Sequence, residues 1–128
     1  MNNDASFDHI LIVVKDLDHS IEFYNLIGFK HIETIQRPKD RVAVLKMGQV
    51  KIELMCLPEG RETYRLMRKD SDIGFRHIGI KVKNVNEVYQ RLNEKVKFTS
   101  PPIEIEGRPG RWSAFFHDPD GTELHFLM

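Results

Sequence analysis

Residues 7–15 read Phe-Asp-His-Ile-Leu-Ile-Val-Val-Lys, and residues 75–83 read Phe-Arg-His-Ile-Gly-Ile-Lys-Val-Lys. Phe7/Phe75, His9/His77, Ile10/Ile78, Ile12/Ile80, Val14/Val82 and Lys15/Lys83 agree at a constant offset of 68. In a chain of 128 residues this internal repeat is the strongest constraint on the fold, because a sequence unit used twice forms one supersecondary unit twice. It also sets a histidine at the same place in each copy. Two imidazoles so placed can stand on opposite walls of one pseudo-symmetric site. Neutral imidazole is the commonest metal ligand, so metal binding is the first chemistry the repeat suggests.

The pattern around each copy completes a module. Residues 7–14 are a dense β-branched run and read as a strand. Asp16-Leu17-Asp18 supplies helix-capping chemistry, Leu17, Ile21 and Tyr24 recur at helical spacing, and Gly28 is a stop signal. Residues 29–36 read as a second strand and 37–40 as a turn. Residues 41–47 and 50–57 read as a hairpin around Gly48. The pattern restarts with a strand at 75–83, Asn84 or Asn86 as cap, and a helix with Val85, Val88, Tyr89, Leu92 and Val96 on one face. Pro101-Pro102 breaks the chain. Strands follow at 103–106, 111–117 and 122–128, with Asp118-Pro119-Asp120-Gly121 as the last tight turn. The order is β-α-β-β-β twice. It predicts a single α+β domain over 1–128, with modules at about 5–57 and 75–128 and a connection at 58–74 holding a short helix around Tyr64 and Met67. Two curled sheets would face each other, helices outside, and form a cup.

Composition excludes several classes. The 19 basic and 19 acidic residues cancel and form no basic stripe, so nucleic acid is not an expected partner. Cys56 is the single cysteine, which rules out an internal disulfide and a thiolate zinc cluster and reads as a buried thiol. Met1–Ser6 is polar and acidic, unlike a signal peptide, and no apolar run approaches a membrane span. A cytoplasmic protein is the expectation.

The repeat extends past the histidines. Ile52-Glu53-Leu54 sits on the last strand of the first half, and Leu124-His125-Phe126 on the last strand of the second. Each half thus offers one polar residue on its first strand and one on its last: His9 and Glu53, then His77 and His125. Polar side chains among strand-core residues are costly unless partnered. One shared cation would partner all four, and nitrogen and oxygen donors suit Zn, Ni, Fe, Co or Mn. Outside this set, His19 and His31 read as surface residues and His117 as a cap or rim residue. Arg108, Arg111 and Trp112 lie in a segment bounded by Gly107 and Gly110. They are candidates to hold an anionic or planar substrate.

The chain resembles the vicinal-oxygen-chelate superfamily, which groups glyoxalase I, bleomycin and fosfomycin resistance proteins, methylmalonyl-CoA epimerase and extradiol dioxygenases. The resemblance covers nearly the whole chain. Its carriers are Phe7-Asp8-His9-Ile10, Val14-Lys15-Asp16-Leu17, Ser20-Ile21-Glu22-Phe23-Tyr24, Ile27-Gly28-Phe29, Ile52-Glu53-Leu54, Arg76-His77-Ile78 and Phe115-Phe116-His117-Asp118-Pro119-Asp120-Gly121. It implies paired βαβββ modules, a divalent metal in the cup, a small-molecule substrate and often a homodimer. The family's ligands fall on His9, Glu53 and His77. The fourth departs: members usually carry a glutamate four residues after the glycine of Asp-Pro-Asp-Gly, where this chain has His125, with Glu123 two residues earlier. Residues 123 and 125 share a strand face. Either His125 ligates, or Glu123 reaches the metal or acts as a base beside it. Symmetry with Glu53 favours His125.

The resemblance implies a glyoxalase-like lyase or isomerase working through a metal-stabilised enolate, with Glu53 or Glu123 as base. Two rivals share the scaffold. One is an extradiol-type dioxygenase or antibiotic-modifying transferase. The other is a non-catalytic bleomycin-resistance-like protein that sequesters a drug.

Overall fold

The computed structural model describes residues 4–57 and 72–128. The short helix expected around Tyr64 and Met67 lies outside the described residues. The chain divides into two compact units, Met1–Glu62 and Thr63–Met128. Among the described residues there are two helices and nine strands in two mixed sheets, an α+β fold. None of the helices among those residues is long and apolar enough to cross a membrane.

In the first unit, β1 (Ile10–Val13) leads into α1 (Leu17–Leu26). The Asp16 carboxylate accepts the His19 amide at 3.1 Å and caps the helix. Leu17, Ser20 and Tyr24 form its buried stripe. After α1 the chain turns at Gly28, whose φ of 116° suits glycine alone. Three antiparallel strands follow: β2 (Lys30–Gln36), β3 (Arg41–Met47) and β4 (Val50–Cys56). The Arg37–Asp40 ion pair closes the first turn. β1 then inserts beside β4 in parallel, giving the order β1-β4-β3-β2. Ala43, Leu45, Ile52 and Leu54 are at most 1% exposed and form the core of this unit.

The second unit repeats the plan. β5 (Ile78–Lys81) leads into α2 (Val85–Leu92), capped by the Asn84 side chain, which accepts the Glu87 amide at 3.1 Å. Beyond the helix come β6 (Lys97–Phe98), β7 (Ile103–Glu104), β8 (Trp112–His117) and β9 (Glu123–Leu127), and β5 pairs β9 in parallel. Tyr89 on α2 meets Phe98, and Phe98 meets Phe116 and Phe126. These rings mark the helix-covered side of the sheet.

Two expectations need correction. First, the second half carries an additional strand. β6 and β7 both pair with β8, one at each end, and Pro101-Pro102 lies between them. Proline donates no ladder hydrogen bond, so the edge that β2 forms in one piece is broken in two here. Second, the strands expected from residues 7 and 75 begin at Ile10 and Ile78. Counted back along the register, Phe7 falls opposite Gln49 and Phe75 opposite Gly121, where the partner strand has already turned. Cys56 is a free, half-buried thiol rather than a fully buried one.

Candidate metal centre

Strand register defines the site more sharply than the sequence repeat does. On the parallel pair of the first unit, Leu11 stands opposite Glu53. On that of the second unit, Gly79 stands opposite His125. Leu11 and Gly79 are the same place in the repeat. Glu53 and His125 are therefore equivalent positions on the last strand of each module. His9 and His77 come two residues before Leu11 and Gly79 and share their face, because side chains alternate along extended chain. In the second unit this is the face opposite the Phe98, Phe116 and Phe126 rings.

In the first unit the His9 imidazole lies between two carboxylates. Its Nδ1 is 2.6 Å from Asp8 Oδ2 and 3.6 Å from Glu53 Oε2. Asp8, His9 and Glu53 each offer a donor atom within 4.8 Å of the others. Lys51 Nζ reaches Asp8 Oδ2 at 3.2 Å. The hydrogen bond from His9, then that from Lys51, holds the Asp8 carboxyl below its ordinary range.

In the second unit His77 Nδ1 is 3.2 Å from Glu123 Oε1. Its ring meets that of His125 edge-on, with centroids 4.5 Å apart. Phe115 stacks on His125, also at 4.5 Å and only 18° from parallel, and its edge meets His77 at 5.3 Å. The His125 Nδ1 is buried and has no hydrogen-bond partner among the described residues. Burial, with a smaller contribution from nearby His77, pushes the His125 pKa down against the opposing pull of Glu123. Its imidazole is neutral at pH 7 and keeps a lone pair.

A divalent ion fits what these residues offer. The donors are imidazole nitrogens and carboxylate oxygens, the set that borderline first-row ions prefer. Each repeat histidine has its Nδ1 beside a carboxylate, Asp8 or Glu123. An Nδ1–H donated to that carboxylate leaves the lone pair on Nε2, the arrangement found behind most metal-bound histidines. The unpartnered Nδ1 of His125 is a buried polar atom that an ion would account for.

Register also separates Glu123 from His125. Glu123 stands opposite His117, and His125 opposite Phe115. Of the two, His125 holds the place equivalent to Glu53, while Glu123 is hydrogen-bonded to His77. The other candidates lie apart. Trp112 alternates onto the Phe116 side of the sheet, and Arg111 donates from Nε to the Met128 carbonyl at 2.9 Å. Arg108 is exposed in a turn. His31 bonds Thr34 on an exposed edge, and His19 is exposed.

Three neighbours escaped the sequence reading. Asp8 has no counterpart in the second copy, where Arg76 stands, so reasoning by repetition passes over it. Phe115 and Gly79 become legible only by counting register outward from the Asp118–Gly121 turn. A Cβ on Gly79 would come 3.0 Å from His125 Nε2, so the glycine is what lets the ring lie there.

A two-module α+β fold, with a donor pair on matching strands of each module, is the class of protein these observations define. The sequence profile of the Glyoxalase/Bleomycin resistance protein/Dioxygenase superfamily matches residues 6–126, and the chain belongs to that superfamily. It is 29% identical to the mitochondrial methylmalonyl-CoA epimerase of Bos taurus, over 92% of this chain and 70% of that one. It is 25% identical to the lactoylglutathione lyase of Haemophilus influenzae, over 93% and 89%. It spans 44% of a lactoylglutathione lyase of Arabidopsis thaliana at 28% identity. Among solved structures, a glyoxalase family protein from Enterococcus faecalis superposes with a TM-score of 0.79 at 25% identity, covering 98% of each chain. One from Bacillus cereus reaches 0.81 at 17% identity, covering 98% of this chain and 95% of that one, a likeness of fold alone.

Proposed function

We propose that the protein is a divalent-metal-dependent enzyme of glyoxalase type, a lyase or isomerase that relocates a proton beside a carbonyl of a small oxygen-rich substrate. The observation that carries this reading is the equivalence of Glu53 and His125 in register, each paired with a repeat histidine. The similarity to a named epimerase and to named lyases supports it. His9, Glu53, His77 and His125 would hold the ion, one of Zn, Ni, Fe, Co or Mn by donor type. Bound there, such an ion supplies stabilisation of negative charge developing on substrate oxygens.

The remaining work falls to the chain's own groups. Asp8 fixes His9 by accepting its Nδ1–H, and Glu123 does the same for His77. Glu123 engages His77 through one oxygen, and its side chain is one-third exposed. The other oxygen takes the proton from the substrate carbon. Glu53 serves as ligand. Phe115, stacked on His125, keeps that ring in place. A homodimer and a cytoplasmic location belong to the same reading, and light scattering checks the first.

Elemental analysis tests the centre, on protein purified without chelators or a histidine tag, beside a His9→Ala/His77→Ala variant. Near-stoichiometric metal in the wild type, lost in the variant, is the expected result. No metal, even after reconstitution with each of the five ions, overturns the reading and leaves a metabolite- or drug-binding module as the account. Glu123→Gln separates base from ligand: it lowers kcat by about 10²-fold or more while metal content stays.

A further inference from the structure

Three lysines stand side by side across the first sheet. The register pairs Lys30 with Lys46, and Lys46 with Lys51. The row therefore runs over β2, β3 and β4, on the side opposite buried Leu45 and Ile52. Like charges directly opposite each other on a sheet are destabilising. The chain as a whole is not basic, with 19 positive and 19 negative side chains, so the row is a local concentration of charge. A lysine on an edge strand is commonly a guard against unwanted strand pairing, and that accounts for Lys30 on β2. It does not account for Lys46 and Lys51, which lie on the two interior strands.

The row begins at the candidate centre. Lys51 bonds Asp8, and Asp8 bonds His9. Glu33 and Glu53 lie one row further along the same face, yet among the described residues no ion pair joins either to Lys30 or Lys46. Lys46 and Lys30 are exposed. Among the described residues neither of these two ammonium groups has an ion-pair partner, on a face where the third is already bound to the carboxylate that fixes His9.

We infer that the Lys30–Lys46–Lys51 row is a subsite for the oxyanion tail, carboxylate or phosphate, of a substrate whose reacting end lies at His9. The inference deepens the proposed function and rests on it for the substrate's reacting end. The anion neutralises the mutual repulsion of the lysines, and the charge-assisted contacts orient the substrate along the strand row. Specificity would come from the length between the reacting carbonyl and the anionic tail.

The test titrates inorganic phosphate and malonate separately into the purified full-length protein, followed by amide chemical shifts. The same titrations are run on Lys30→Gln/Lys46→Gln, which leaves Lys51 on Asp8 and whose fold is checked by circular dichroism. Saturable shifts centred on β2 and β3, weakened about tenfold or more in the variant and by added salt, are expected. Tighter phosphate identifies a phosphorylated tail, and tighter malonate a carboxylate one. Equal affinity in wild type and variant, no saturation, or shifts confined to the histidines would overturn the inference. Metal content on the same samples reports on the proposed function independently. Metal without lysine-dependent anion binding removes the subsite alone, and anion binding without metal removes the metalloenzyme reading alone.

Discussion

The choice of glycine or a larger residue opposite the last-strand donor differs between the modules for a steric reason. Leu11 faces Glu53, a flexible chain, whereas Gly79 faces an imidazole already fixed by Phe115. Gly79→Val would bring branched carbon against His125 Nε2, on a ring stacked against Phe115. Overpacking of this kind costs about 1–3 kcal/mol, and urea melts of the metal-free protein should show it, together with displaced His125 ring resonances. The same imidazole gives a pH dependence. Burial lowers its pKa below the ordinary value of about 6.5. Between the folded and unfolded values the unfolded chain holds more protons, so stability rises with pH there. The contribution is complete above the unfolded value and is lost as pH falls through the folded one. Metal-free wild type should therefore lose more stability between neutral and mildly acidic pH than His125→Asn. Equal losses would disprove it. The sequence made His9, Glu53, His77 and His125 legible as candidates because duplication marks their places. Asp8 and Gly79 were not, since one is unrepeated and the other acts through empty space.

At the scale of elements the duplication runs deeper than the strands. Asp16 and Asn84 share the repeat offset, and each side chain caps its helix through the amide three residues on. Removing an N-cap acceptor costs about 1 kcal/mol. Asp16→Ala and Asn84→Ala should each destabilise by that amount, measured by denaturant unfolding, and Asp16→Asn should recover most of the first loss. Both helices were legible because capping chemistry and periodicity agree. The last two strands were legible too, because Asp118 holds the amides of Asp120 and Thr122 and so fixes a tight turn. The edge of the second sheet was not. Two-residue strands such as Lys97–Phe98 are too short to show a period, and their existence depends on a partner, β8, far along the chain. Pro101-Pro102 announced a break, which is what it makes, but a break inside an edge rather than before one.

For the molecule as a whole, the one-ion reading proposed for the duplicated donor pairs has a stoichiometry that two separate ions would not share. Two compact units, each with its own histidine and its own last-strand donor, are consistent in chemistry with either count. Donor type and number are what support the one-ion proposal. His77 and His125 provide two nitrogens, and His9 and Glu53 one nitrogen and one carboxylate, each short of the four donors a tetrahedral ion prefers. Exchange of one donor type for another at the equivalent place, Glu53 against His125, also gives a mixed set rather than two alike. A ligand that binds only the folded state stabilises it, by about 2.7 kcal/mol when present at 100 times its dissociation constant. If the pairs share an ion, stoichiometry is one per chain, and His9→Ala alone or His77→Ala alone removes most of the thermal shift on adding metal. If each pair binds its own, titration reaches two per chain, and each single variant keeps one ion and part of the shift. Thermal melts of both variants with and without metal, beside calorimetric titration of the wild type, decide between the two counts. Sharing predicts one ion and a shift lost from either side.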